Sequence, residues 1–167
     1  MIEVIFSHGK EGSPHGSKSK IINNICEANN VEFTTIDYKD CNTVNERVAL
    51  LESTIEDNSN PLILVGSSMG GYVSAVCSNK YETLGLFLIA PALYMSGYDI
   101  QEYKSLAKNI AVRHGWDDDI ISPENSIKFC KIHKCRLTID QDDHRMSKTR
   151  NDLAFHFTRF LETCTQI

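Results

Sequence analysis

The sequence predicts an α/β chain built on a doubly wound, mostly parallel sheet of six strands. Three observations lead there. Six short apolar runs alternate with stretches of helical periodicity along the 167 residues. The runs are uniformly apolar rather than alternating with polar residues, as strands covered on both faces must be. The third run ends in Gly66-Ser67-Ser68-Met69-Gly70, a glycine-bracketed turn that feeds directly into a helical pattern.

Taken in order, Ile2 to Ser7 is the first strand and opens into the loop His8-Gly9-Lys10-Glu11-Gly12-Ser13-Pro14. Ile21, Ile22, Ile25 and Cys26 then share one helical face, and Val31 to Tyr38 returns as the second strand. Thr43 with Glu46 three residues later forms a capping box. Behind it Val44, Val48, Leu51 and Ile55 repeat at helical spacing up to Asn58-Ser59-Asn60-Pro61. Leu62 to Val65 is the third strand, Met69, Val73, Val76 and Cys77 line the next helix, and Leu84 to Ile89 is the fourth strand. The tyrosine-rich stretch 92–108 has weak periodicity and is the expected rim or lid. Ile110 to Val112 is the fifth strand, and Ser122 with Pro123 starts a helix whose inward residues are Ile127 and Cys130. Arg136 to Ile139 is the sixth strand, and Leu153, Phe157, Phe160 and Cys164 stripe a closing helix.

Composition narrows the partners. At 167 residues one domain, 1–167, is expected, and 41% apolar with 23% charged residues is ordinary for a soluble globular chain. A net charge of −5 and a pI of about 5.6 argue against nucleic acid or an anionic membrane. The expected partner is a small molecule. Six scattered cysteines, with no leader pattern ahead of the first strand, point to a reducing, cytoplasmic setting. Cys130, His133 and Cys135 are too few and too loosely spaced for zinc, so neither metal nor cofactor is implied.

The turn at Gly66 to Gly70 carries the chemistry. In the GxSxG register these glycines lie two residues before and after Ser68, where a sharp strand-to-helix turn leaves no room for a Cβ. Ser67 cannot be the centre, since Val65 and Met69 flank it at the same offsets. In a parallel sheet the loops after the strands converge on one rim. His8-Gly9-Lys10, Ser68, Asp117-Asp118-Asp119 and Asp142-Asp143-His144 all leave strands there. Acyl transfer needs a hydroxyl, a base to take its proton and a carboxylate to orient that base. Ser68, one of the three acids, and His144 supply that set. The backbone N–H groups of Met69 and Lys10 are placed to meet an oxyanion. Tyr94, Met95 and Tyr98 are candidates for the substrate pocket.

These motifs together resemble the α/β-hydrolase superfamily, its small bacterial esterase-like members with little or no cap domain. The resemblance runs nearly end to end, through residues 7–20, LVGSSMGGY at 64–72, LFLIAPALY at 86–94, HGWDDDIIS at 114–122 and DDHRM at 142–146. It implies a serine hydrolase of small carboxylic esters or thioesters. Through the pattern HGxxDxxxP it also implies that the acid is Asp118, with Ser122 where proline is usual. The fold implied is a minimal one lacking the first two strands, with sheet order 2-1-3-4-5-6 and an edge left for the N-terminus or a partner to protect.

Two other readings compete. Gly12 to Ser19 is one residue short of the phosphate loop GxxxxGK[ST], with Ser17 in place of the second glycine and Pro14 stiffening it, which would make the chain a nucleotide binder. A hydrolase-like fold that only binds is the other, although no member of the triad is missing. Of the remaining histidines, His8 is expected to pack beneath the active-site loop, His114 to close a strand, His133 and His156 to ride on helices, and His15 to sit in a polar loop.

Overall fold

The computed structural model describes residues 1–166. Six parallel strands, β1 (Glu3–Ser7), β2 (Glu32–Ile36), β3 (Leu62–Ser67), β4 (Gly85–Ile89), β5 (Ile110–Gly115) and β6 (Arg136–Asp140), form one sheet in the order β2-β1-β3-β4-β5-β6. This is the order that the resemblance implies. The apolar runs are explained by two cores. Ile5, Leu64, Leu86, Leu88 and Val112 face one side of the sheet, while Val4, Phe6, Ile63, Val65, Phe87 and Ile89 face the other. With water excluded from both faces, no polar alternation is possible.

Helices α2 (Val44–Glu56), α3 (Met69–Ser78) and α4 (Pro123–His133) cover the first core, and α1 (Ser17–Ala28) and α5 (Arg150–Thr165) the second. α2 starts where the capping box predicts. Thr43 Oγ1 accepts from Glu46 N–H at 3.1 Å, while the Glu46 carboxylate reaches back one residue further than usual, to Asn42 N–H at 2.6 Å. On α4 the inward face is Ser126, Phe129 and Cys130, and Ile127 is only half-buried. Phe129 seats against Tyr103 of the 92–108 stretch, which explains why the larger ring takes the inward position. No helix among the described residues is long and apolar enough to cross a membrane.

Registry aligns the strand ends. Ser7 pairs with Ile36 and Gly66, Ser67 with Ile89, and Gly115 with Asp140, so the loops that follow share one rim. Two expectations narrow. The N-terminus continues β1, with Ile2 O accepting from Glu32 N–H, and so does not cover the outer side of β2, which pairs with no further strand among the described residues. The 92–108 stretch is a strap fastened along its length rather than a free lid. Ile100 N–H donates to Tyr72 Oη, Lys104 N–H to Asn79 Oδ1, Leu106 N–H to Ser78 O, and Thr83 bridges Ala107. Leu93 and Tyr103 are buried beneath it.

Candidate active site

The turn after β3 is an elbow under strain. Ser68 has φ 55° and ψ −120°, a region that L-residues rarely occupy. Its own backbone holds it there: Ser68 N–H donates to Ile89 O, and Ser68 O accepts from Gly71, Tyr72 and Ala92 N–H. Both bracketing glycines are required sterically. A Cβ on Gly66 would lie 2.2 Å from Gly70 O, and one on Gly70 would lie 2.0 Å from Ser7 O.

The structure brings Ser68, His144 and Asp118 into one hydrogen-bonded line. Ser68 Oγ is 3.0 Å from His144 Nε2, and His144 Nδ1 is 2.7 Å from Asp118 Oδ2. Because a carboxylate only accepts, His144 carries its proton on Nδ1, and Nε2 is free to accept from the Ser68 hydroxyl. Of the three consecutive acids, Asp117 and Asp119 are exposed, whereas the Asp118 carboxylate is fully buried. Oδ1 accepts from Ile120 and Ile121 N–H at 3.0 and 2.8 Å. Oδ2 accepts from His144 and also from His114 Nε2 at 2.9 Å. Burial alone would push this carboxyl's pKa up. The hydrogen bonds from His114 and His144, then those from Ile121 and Ile120, outweigh it and hold the pKa well below the ordinary carboxylate range.

The loop bearing His144 is fixed from below. Asp142, fully buried, accepts from Thr149 N–H and Oγ1, both at 2.8 Å, and from Asp143 N–H. Buried Arg113 pairs with Asp140 at the end of β6 and reaches Thr149 Oγ1.

Across Ser68, the His8–Gly9–Lys10 loop closes on the elbow, and a Cβ on Gly9 would stand 3.2 Å from Ser68 Cβ. Gly9 O accepts from His8 Nδ1 at 2.7 Å, from Gly12 N–H at 3.2 Å and from Arg47 Nη1 at 3.4 Å. With that carbonyl turned inward and the peptide trans, the N–H of Lys10 lies on the opposite side of the same plane. Met69 N–H begins α3, where no carbonyl of its own helix precedes it. His8 packs as expected. Its ring meets Tyr38 edge-on and Nε2 accepts from Tyr38 N–H, and burial first, then the charge of Arg47, pushes its pKa down against the opposing bond to Gly9 O.

Two residues escaped the sequence reading. His114 does more than end β5: it is fully buried and ties Asp118 to Ser126, whose hydroxyl is 2.7 Å from Nδ1. Its position four residues before Asp118 was the available signal. Arg47 is 7% exposed, and its Nη1 donates to His8 O at 3.0 Å. It stands at four-residue spacing ahead of Leu51 and Ile55, a charged residue on a core-facing helical row, and that pattern could have found it.

The candidate pocket residues belong to the strap. Tyr98 meets Tyr72 at a tilt with centroids 4.5 Å apart, Tyr94 meets Tyr103 edge-on and lies under Lys128, and Met95 packs on the same core. These contacts secure the strap. The cleft beside Met69 is walled by His8, Lys10, Tyr38, Lys39, Thr43 and Arg47, and measures about 460 Å³. In the Gly12 to Ser19 loop the Ser19 hydroxyl donates to Pro14 O at 2.5 Å. At His133 both ring nitrogens are engaged, Nδ1 with Phe129 O and Nε2 with Ser105 N–H.

Comparison with known proteins agrees with this geometry at the level of fold. The model of the uncharacterised protein family UPF0227 matches residues 3–108. A search of curated protein sequences finds no match. Among solved structures, one from Xanthomonas campestris pv. campestris assigned to the α/β hydrolase superfamily is similar at 24% identity. The alignment covers 96% of this chain and 98% of that one, with a TM-score of 0.86. Est1E from Butyrivibrio proteoclasticus aligns over 99% of this chain and 88% of its own at 16% identity and TM-score 0.79. The Pyrococcus furiosus esterase Pf2001 aligns over 96% and 82% at 15% identity and TM-score 0.81.

Proposed function

Since the chain belongs to the uncharacterised protein family UPF0227 and has the α/β-hydrolase fold, we propose that it is a serine hydrolase cleaving small carboxylic esters or thioesters through an acyl-enzyme. The observation that carries this reading is the continuous line from Ser68 Oγ through His144 to Asp118 Oδ2. Est1E and the Pyrococcus esterase, similar in fold, are consistent with it.

In this mechanism His144 Nε2 takes the Ser68 proton as Oγ attacks the carbonyl carbon. Charge developing on the carbonyl oxygen is met by the N–H groups of Met69 and Lys10, each such donor being worth on the order of 10²–10³ in kcat. The imidazolium then protonates the leaving oxygen or sulfur, and the C–O or C–S bond breaks to give the acyl-serine. Water, deprotonated by the same nitrogen, attacks the acyl carbon, and Ser68 regains its proton as the carboxylic acid departs. Asp118 stays ionised throughout, and its role is to hold the imidazolium and fix the tautomer.

The test is a fluorophosphonate probe on the purified protein, with a panel of nitrophenyl and coenzyme A esters. Labelling at Ser68 by mass spectrometry, absent from Ser68→Ala, together with ester turnover reduced on the order of 10⁶ in that variant, is the expected result. Absence of labelling and of turnover in the wild type would favour a binding role for the fold.

A further inference from the structure

The cleft beside Met69 has an unusual charge balance. Lys10, Lys39 and Arg47 stand on its walls against one carboxylate, Asp37. That carboxylate is spent locally, accepting from Lys39 N–H at 3.0 Å and standing 3.7 Å from Lys39 Nζ, out in solvent. Arg47 is different. It is more than nine-tenths buried, its neighbours are the Tyr38 ring at 4.8 Å and the carbonyls of His8 and Gly9, and no carboxylate pairs with it among the described residues. Nη1 serves those carbonyls, while Nε and Nη2 have no hydrogen-bond partner among the described residues and keep some exposure on a side chain that lines the cleft. A desolvated guanidinium with free donors is costly unless an anion completes it, and two adjacent N–H groups match a carboxylate in a fork.

The cleft lies on a definite side of the serine. Its walls come from the loops after β1 and β2, the start of α2 and Met69, with nothing from the loop that carries His144. The leaving atom must stand at His144 Nε2 to receive its proton, so the cleft takes the other substituent of the carbonyl carbon, the acyl chain.

We propose that this cleft is a subsite for an anionic acyl group, and that the ester favoured is the half-ester of a short dicarboxylic acid, with its free carboxylate on Arg47. The proposal rests on the serine hydrolase reading for its catalytic half, but the anion site itself can be read without catalysis. Lys10 and Lys39 add long-range attraction at the mouth, which salt screens, while the buried contact to Arg47 is screened less.

Two measurements on the full chain test it. The first compares nitrophenyl hemiglutarate with nitrophenyl pentanoate, equal in chain length, with spontaneous hydrolysis subtracted using Ser68→Ala. The expected result is kcat/KM higher for the hemiglutarate by about tenfold or more. In Arg47→Gln both esters should lose rate, because the His8–Gly9 loop is loosened, but their ratio should fall to about one. Arg47→Lys should recover the loss in pentanoate rate more than it recovers the ratio, since an ammonium lacks the fork. The second measures glutarate binding to Ser68→Ala by calorimetry, expected to be lost when Arg47→Gln is added with the melting temperature monitored. A wild-type ratio of one or less, or a ratio unchanged in Arg47→Gln, would overturn the subsite. If no ester is turned over but glutarate binds through Arg47, the anion site stands and the catalytic reading falls; if glutarate does not bind to Ser68→Ala, the anion site falls whatever the fate of catalysis.

Discussion

His114 and His144 share a single oxygen of Asp118, at 2.9 and 2.7 Å. His114 Nε2 also faces Ile121 O at 3.0 Å, and since both neighbours only accept, that nitrogen must carry a proton. His114 is thus a buried donor that holds the carboxylate from the side opposite His144, and Ser126 holds His114 in turn. Asp118 cannot rotate without breaking four hydrogen bonds.

Removing His114 should therefore cost activity through position. His114→Ala is expected to lower kcat by about 10- to 100-fold, by analogy with the loss of hydrogen bonds that orient metal ligands. His114→Gln, which can still donate to Oδ2, should lose less. The readout is kcat/KM with the melting temperature measured alongside, because the residue is fully buried. Equal losses in both variants, tracking the melting temperature alone, would reduce His114 to packing.

Among the three acids the structure separates roles that the sequence leaves adjacent. Asp118→Asn keeps the shape of the turn but favours the wrong tautomer of His144, so kcat should fall by on the order of 10⁴. Asp117→Asn and Asp119→Asn, both exposed, should cost less than about tenfold. A large loss that follows Asp117 or Asp119 instead would refute this assignment.

How far the site was legible depended on whether a residue's role follows from its place along the chain. Ser68, the three acids 117–119 and His144 each leave a strand end, and parallel strands send their ends to one rim, so order brought them together, while the choice of Asp118 among the acids came from the resemblance. Arg47 belongs to α2, and its partners His8 and Gly9 lie nearly forty positions away in the loop after β1; only the packing of that helix over the sheet joins them. The packing of Tyr94, Met95 and Tyr98 was illegible for a related reason. An aromatic-rich stretch without periodicity reads as a rim, whereas here α3 and α4 offer Tyr72 and Phe129 as seats for its rings. The six strands were legible because burial on both faces demands continuous apolar runs.

Asp118 also links stability to pH. Its folded pKa lies below the unfolded value of about 3.9, so its contribution is complete above that value and is lost as pH falls through the folded pKa. Asp118→Asn should be less stable than wild type at neutral pH, and the difference should narrow as pH falls from about 5 towards 2. Chemical denaturation across that range reads it, and a gap that stays constant or widens with acid would contradict the assignment of the ionised form to the folded state.

The base must be neutral to accept the Ser68 proton, so ester turnover should decline on the acid side. A rate that stays flat down to about pH 4.5 would remove His144 from that role.

Chain-length preference follows from what lines the acyl side. A methylene carried out of water contributes about 0.8 kcal/mol when it is fully buried against apolar groups, and that gain is what lets a hydrolase prefer long chains. The cleft beside Met69 sets the polar heads of Lys10, Asp37, Lys39, Asn42, Thr43 and Arg47 among apolar groups of Pro14, Tyr38, Cys41, Val44 and Met69, so a chain lying in it keeps part of its length close to water. The strap at 92–108 is fastened to α3 through Tyr72 and Ser78 and to Asn79 just beyond it. Added methylenes should therefore gain little, and kcat/KM for neutral nitrophenyl esters should peak between C2 and C6 and not rise further. A kcat/KM for C12 above that for C4 would mean that an apolar surface outside this cleft receives the chain, and would move the acyl side of the site to the opposite flank of Ser68.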